Sequence, residues 1–339
     1  MGMNWLITGG CGFLGTSLIR QLVAEGGHRI RVIDNLSVGT RDDLAAVSRF
    51  VDVTSSELPD AVSSPLKGEG WGESGVVQLI VGDILDDKLA IAVTQNADVI
   101  VHFAANTGVG PSVENPRMDC VTNVIGTFNY LDAARQNGVK RFVFASSGAP
   151  IGECVPPIHE EMVPHPVSPY GASKLAGEGY CSAYFRTYGV ETVALRFGNV
   201  YGPGSGHKNS VVAKFIRHAL NGEELEVYGD GSQTRDFIYI DDLVKAVQLA
   251  ATKPGVGGEV FQIATNAETR VSELLECMIS VFNDKDIHIS QVRYTAPRLG
   301  DVKRNFSDTS KAQRMLGWQS TMPLNSGLIA TVDYFVSKR

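Results

Sequence analysis

A chain of 339 residues with 43% hydrophobic content can bury an ample core, and its length points to one large α/β domain with a smaller lobe. The formal net charge is −7 and the 30 basic residues are scattered rather than run together, which argues against nucleic acid as the main partner. Five cysteines without a CxxC pair, seven dispersed histidines and no apolar stretch of bilayer length exclude a metal-cluster pattern and a membrane span, and they fit reduced thiols in the cytoplasm.

The opening MGMNWLITGG runs straight into a strand and a turn, without the basic and apolar regions of a signal peptide. Strands are expected at residues 3–8, 30–33, 77–81, 99–103, 141–145 and 190–197. Several are apolar on both faces, as buried parallel strands are. Helices are expected at residues 12–25, 85–94, 121–136 and 169–188. Strands alternating with helices predict βαβ units in a doubly wound parallel sheet. Beyond Gly198 the chain is richer in glycine and proline, and the alternation loosens. Residues 1–199 with 236–264 are read as the main domain, and 200–235 with 265–339 as a smaller C-terminal α/β substrate lobe. Residues 52–75 contain SSPLKGEGWGES, of low complexity and no periodicity, and read as a loop insertion.

The first motif, Gly9-Gly10-Cys11-Gly12-Phe13-Leu14-Gly15, follows a strand and opens a helix. Gly9 permits the tight turn, Gly12 lets the backbone approach a pyrophosphate, and Gly15 lets the helix pack on the sheet. With Phe13 and Leu14 they form a dinucleotide loop in a Rossmann unit. Asp34, with Asn35 beside it, ends the second strand about twenty residues on, where a carboxylate binds both ribose hydroxyls. A 2′-phosphate would meet that charge, so NAD is expected rather than NADP. Asp83, followed by Ile84, is placed to reach the adenine amino group; the other reading of Asp83 is a helix N-cap. His102 reads as a buried, satisfied histidine, whereas Ala104 and Ala105 let a cofactor lie against backbone.

Ser168 and Pro169 suit the cap and first turn of a helix. They put Tyr170 and Lys174 four residues apart on one face. An ammonium near a phenol lowers its pKa and makes it a usable general base; an ordinary exposed pair is the competing reading. Ser146 and Ser147 follow the fifth strand at the carboxyl edge of the sheet, where ligands bind.

TGGCGFLG, VGDILD, HFAA, ASSGAPIGE, SPYGASKLAGE, RFGNVYGPG, YGDGSQTRDFIYIDD and PRLGDVKRNFSD occur in that order. In them the sequence resembles an extended short-chain dehydrogenase/reductase of the NAD-dependent nucleotide-sugar epimerase/dehydratase family, over essentially the whole chain apart from residues 52–75. The resemblance implies that Tyr170 deprotonates a sugar 4-hydroxyl with help from Ser147, while Lys174 orients the cofactor and tunes Tyr170. Hydride then passes from C4 to NAD, the 4-keto sugar turns over in its pocket, and hydride returns to the other face. It further implies that Asn123 supports the Ser147 region and the cofactor. Asn199, Arg235 and Arg298 would grip the substrate diphosphate, and Tyr228, next to Val227, would pack on uracil. Helices 121–136 and 169–188 would pair in a homodimer.

Departures from the family pattern narrow the reaction. Dehydratases of the family carry an Asp-Glu pair after the catalytic hydroxyl residue, and related decarboxylases a Glu, where this chain has Gly148 and Ala149. What remains is a UDP-sugar 4-epimerase acting on UDP-Glc/Gal, UDP-GlcNAc/GalNAc or UDP-uronic acid. Ile151 replaces a usual Tyr and predicts a more apolar substrate wall. Asn305 stands where family members limit room beside the C2 substituent, so N-acetylated or uronic substrates are expected. The rival readings are a nucleotide-sugar 4-ketoreductase or dehydrogenase, and a non-catalytic NAD-binding sensor.

Overall fold

The computed structural model describes residues 2–54, 75–297 and 302–339. The chain begins in the middle of an eight-stranded parallel sheet. The first strand, β1 (Asn4–Thr8), pairs on one side with β2 (Arg29–Asp34) and on the other with β5 (Val99–His102). From β2 the sheet continues through β4 (Val76–Val81) to β3 (Arg49–Asp52), and from β5 through β6 (Arg141–Ser147) and β7 (Glu191–Phe197) to β12 (Glu259–Ile263). The strand order reverses beside β1, which opens a crevice at the carboxyl ends of β1 and β5.

Two-residue periodicity explains why both faces are covered. Trp5, Ile7, Val99, Val101 and Val143 pack on one side with Leu18 and Leu22 of α1 (Phe13–Glu25). Leu6, Ile100, Phe142 and Phe144 point to the other side. They meet Tyr130 and Leu131 of a helix at Gly126–Gln136, and Cys181 of one at Pro169–Tyr188.

Several boundaries differ from the sequence expectation. Strand β6 runs to Ser147, so Ser147 is its last residue. The edge strand β3 was not expected, because its burial is slight and it shows no apolar alternation. It ends at Asp52, the first residue of the supposed 52–75 insertion, most of which lies outside the described residues. The helix expected at 85–94 starts at Asp87, capped by Asp86, whose carboxylate accepts from Leu89 N at 2.9 Å. Asp83 instead accepts from Leu85 N in a turn before it, so it is not the cap. The helix expected at 121–136 is a π-turn, Val121–Ile125, continued by Gly126–Gln136.

After β7 the chain builds small paired strands: β8 (Asn199–Tyr201) beside β11 (Phe237–Tyr239), β9 (Leu225–Tyr228) beside β14 (Val292–Thr295), and β10 (Thr234–Arg235) beside β13 (Thr269–Arg270). The return expected around 237–263 is made by the helix Ile240–Thr252, which packs against the main sheet and α1, and by β12, which joins the sheet parallel to β7. Among the described residues no helix is long and apolar enough to cross a membrane.

Candidate active site

The glycine loop leaves β1 under tight steric limits. Gly9 has φ 69°, and a Cβ there would lie 2.8 Å from Ala104 N. A Cβ on Gly15 would lie 2.5 Å from Gly10 Cα, so only glycine lets α1 start this close to the loop. Gly12 caps α1 without any side-chain bond, which leaves the first amides of the helix, those of Phe13 and Leu14 among them, directed into the crevice. Asp34 is buried directly behind the loop and accepts from Cys11 N at 2.9 Å and Leu36 N at 2.8 Å. Burial raises its pKa, and these two amides oppose the rise.

Around this loop, Asn35 Nδ2 donates to Asp83 Oδ2 at 3.3 Å, which puts both side chains at one rim. Ile84 is buried under it against Gly126. Ala104 and Ala105 are half-buried, and Ala104 N donates to Thr8 Oγ1 at 3.1 Å. His102 lies 3.0 Å from Thr8 Oγ1 and 3.2 Å from Thr127 Oγ1. Burial pushes it down to about 3, so it is a neutral structural tie. Uncapped donor amides, a cradle that any Cβ would fill and an accepting carboxylate behind it together fit a dinucleotide with free ribose hydroxyls.

The chemical groups sit at the end of β6 and at the start of the helix Pro169–Tyr188. Ser168 Oγ accepts from Gly171 N at 3.2 Å and fixes the first turn, with Pro169 at its start. Ser146 and Ser147 separate by geometry. Ser146 Oγ donates to Glu178 Oε1 at 2.5 Å, and Glu178 in turn holds Arg196 through both carboxylate oxygens at 2.8 and 2.7 Å. Ser146 is thereby engaged below the site. Ser147 hydrogen-bonds the Tyr170 hydroxyl and accepts from Ala149 N at 3.2 Å.

Lys174 and Tyr170 lie close together, and both are shifted chiefly by burial. Burial pushes the Tyr170 phenol up to about 12, and the opposing influence is the bond from Ser147. Lys174 is buried, with its Nζ 5.0 Å from the Phe144 ring centroid and 5.9 Å from that of Tyr170. Its ammonium is pushed down to about 8 by burial and held up chiefly by Asp119.

Asp119 escaped the sequence reading. It is 1% exposed on the short helix Pro116–Cys120, and its Oδ1 accepts from Asn123 Nδ2 at 2.9 Å. Asn123 Nδ2 also donates to Ser173 Oγ at 3.1 Å and to Asn106 O at 2.9 Å, and its Oδ1 accepts from Asn106 N at 2.8 Å. Asn123 therefore fastens the loop after β5 to the helix of Tyr170, rather than reaching the Ser147 turn. Four-residue spacing between Asp119 and Asn123 was the available signal.

The expected substrate residues are dispersed over three supports. Asn305 faces the turn after Ser147: a Cβ on Gly148 would lie 3.5 Å from its Nδ2. The same segment passes Arg235, whose NH1 donates to Val302 O at 2.9 Å and to Thr234 O at 2.7 Å. Asn199 is half-buried at the start of β8, its amide donating to Asp236 O at 2.7 Å. Val227 is buried, while the Tyr228 ring carries Lys214 Nζ 5.0 Å from its centroid and its hydroxyl accepts from that ammonium at 3.2 Å. Arg298 lies outside the described residues. Ile151 is 1% exposed and packs inside the protein, so it does not present an apolar wall as expected.

A Rossmann sheet with a serine, a tyrosine and a lysine grouped beside its dinucleotide loop defines an NAD-using short-chain dehydrogenase/reductase. The chain belongs to the NAD dependent epimerase/dehydratase family, whose model matches residues 5–264. It is 33% identical to a UDP-glucose 4-epimerase of Mycolicibacterium smegmatis, over 99% of each chain. It is 30% identical to a dTDP-glucose 4,6-dehydratase of Streptomyces antibioticus, over 99% of this chain and 93% of the relative. Among solved structures, the UDP-glucose 4-epimerase of Thermotoga maritima with UDP-glucose superposes with a TM-score of 0.85 at 33% identity, covering 99% of each chain.

Proposed function

We propose that this chain is a UDP-sugar 4-epimerase in which Tyr170 is the general base and acid at the sugar 4-hydroxyl. Ser147 holds the same oxygen, and Lys174, sustained by Asp119, supplies a positive charge beneath the site. NAD, when bound, supplies the hydride acceptor and donor, and its oxidised ring brings a positive charge of its own. The substrate lies between the Rossmann domain and the lobe of residues 200–235 and 265–339, its diphosphate against Asn199 and Arg235, and Arg298, outside the described residues, is the third group the sequence offers it. A homodimer through the helices around 121–136 and 169–188 belongs to the same reading, supported by Ile125, Tyr180 and Tyr188, which are 48%, 40% and 55% exposed there.

The observation that carries this reading over dehydration is the turn after Ser147. Elimination across C5 and C6 requires an added acid and base at the site. Gly148 and Ala149 offer neither, and the polar group facing Gly148 is the neutral amide of Asn305. A short amide at this place, where a ring would reach further, supports N-acetylated or uronic sugars. The test is incubation with UDP-glucose, UDP-GlcNAc and UDP-glucuronate without added NAD, followed by product NMR. Inversion at C4 with the nucleotide retained supports the reading. A 4-keto-6-deoxy product, or turnover only with stoichiometric external cofactor, overturns it.

A further inference from the structure

Residues 202–210 connect β8 to the helix Val211–Asn221, and they do not stay within the smaller lobe. The segment reaches across to the glycine loop. A Cβ on Gly204 would lie 3.4 Å from Phe13 Cδ2, and His207 Nε2 lies 3.3 Å from Asp43 Oδ2. It is held in shape from behind: Arg217 NH1 donates to Gly206 O at 2.7 Å and to Lys208 O at 2.6 Å, and Ser205 Oγ donates to Gly202 O at 2.7 Å.

Lys208 is carried on this segment with its Nζ 5.3 Å from the Phe13 ring centroid. Phe13 is the first residue of α1, the helix whose leading amides have no side-chain cap. No carboxylate among the described residues pairs with the Lys208 ammonium, and burial alone pushes it down to about 8. Lys208 is half-buried, and an ammonium there without an anion is unfavourable, as are helix amides without a cap. One phosphate between them would relieve both, since helix N-termini and lysine each favour that charge. The chain as a whole is acidic, so a cation placed here acts locally.

We propose that Lys208 is a diphosphate ligand for the dinucleotide cofactor, reaching the glycine loop from the opposite lobe on a strap formed by residues 202–210. The strap then does two things. It adds one charge-assisted contact to the cofactor, and it links retention of the cofactor to the same segment that leads into the sugar-nucleotide side of the cleft. A cofactor that serves every cycle without exchange needs such a hold more than one that leaves after each turnover.

The sugar nucleotide also carries a diphosphate, so the experiment separates the two. K208M keeps the aliphatic stem over Phe13 and removes only the charge; K208R restores it. Binding of NAD and of UDP is measured separately by calorimetry on cofactor-stripped protein, and bound NAD per chain is measured on protein as purified. Loss of one charge-assisted contact predicts NAD affinity lower by about tenfold to a hundredfold in K208M. UDP affinity stays within about twofold, and K208R recovers most of the NAD affinity. K208Q repeats the measurement should K208M lose cooperative unfolding. Unchanged NAD affinity in both charge-free variants overturns the proposal, as does a loss that falls on UDP instead. Because no sugar enters these measurements, the outcome is independent of which sugar is epimerised.

Discussion

Asn123 Nδ2 lies 3.1 Å from Ser173 Oγ, and that bond joins the π-turn Val121–Ile125 to the helix bearing Tyr170 and Lys174. Ser173 Oγ donates to Tyr170 O at 3.0 Å, so the chain of bonds ends on the backbone of the proposed base. Asn123 also holds both the amide and the carbonyl of Asn106. Replacing it leaves several buried groups without partners at once. Asn123→Ala is expected to cost about 1–3 kcal/mol of stability and to lower kcat more than it raises KM, because it loosens positions rather than contacts to the substrate. Urea unfolding and steady-state kinetics check this; wild-type kcat in a destabilised protein would show that the network serves folding alone.

The charge state of Lys174 gives a pH-dependent prediction. Its pKa is pushed down to about 8 by burial, with Asp119 first among the groups that hold it up. Asp119→Asn retains an oxygen to accept from Asn123 but removes the charge. The Lys174 pKa then falls further, and the ammonium is lost at lower pH. The alkaline limb of kcat is therefore expected to move to lower pH by about one unit, with the deficit small near pH 6 and growing as pH rises. A pH–rate profile measures it, and an alkaline limb that does not move would show that Asp119 has no hold on Lys174.

His102 predicts how acid acts on the fold. Burial first, and the charge of Lys174 second, push its folded pKa down to about 3 from an ordinary 6.5. Between those values the unfolded chain binds a proton that the folded chain refuses, so stability falls as pH falls through that window. The slope contributed approaches about 1.4 kcal/mol per pH unit. His102→Gln, which can still bond Thr8 and Thr127, is expected to flatten the fall in urea midpoint between about pH 6 and pH 4. Parallel midpoint curves for the two proteins would assign the acid sensitivity elsewhere.

The contrast between these residues shows what the sequence discloses. The sheet strands, the glycine loop and Asp34 are local patterns, set by two-residue periodicity and by the backbone room that glycine alone allows. His102 reads correctly because an apolar strand predicts its burial. Burial of charge is a different matter. Nothing adjacent to Asp119 in the chain reveals that it lies 1% exposed under Lys174, since the helix carrying it has exposed neighbours on both sides, Met118 and Cys120. Lys174 lies against Phe144, thirty residues away in another element, and the burial that raises the Tyr170 phenol is not visible in the four-residue spacing. Ile151 was placed on the substrate wall by its position in a motif, whereas the turn around Gly152 folds it inward, with His165 N donating to Ile151 O at 3.1 Å.

Asn305 gives the test of sugar choice. Its amide stands opposite Gly148, where a Cβ would meet Nδ2 at 3.5 Å and Oδ1 at 3.6 Å, and it is half-buried on the segment that passes Arg235. An aromatic ring in its place would project past the Cγ position into the space beside the Ser147 turn, and it cannot shrink to readmit a substituent. Asn305→Tyr is therefore expected to reduce kcat/KM for UDP-GlcNAc by about a hundredfold, because a steric clash with a rigid ring costs several kcal/mol. UDP-glucose, with only a hydroxyl at C2, should lose less than about tenfold. The ratio of the two values decides the matter, since any general damage to the fold lowers both together. Equal losses would mean that Asn305 does not border the C2 substituent, and the expectation of N-acetylated substrates would lose its structural support.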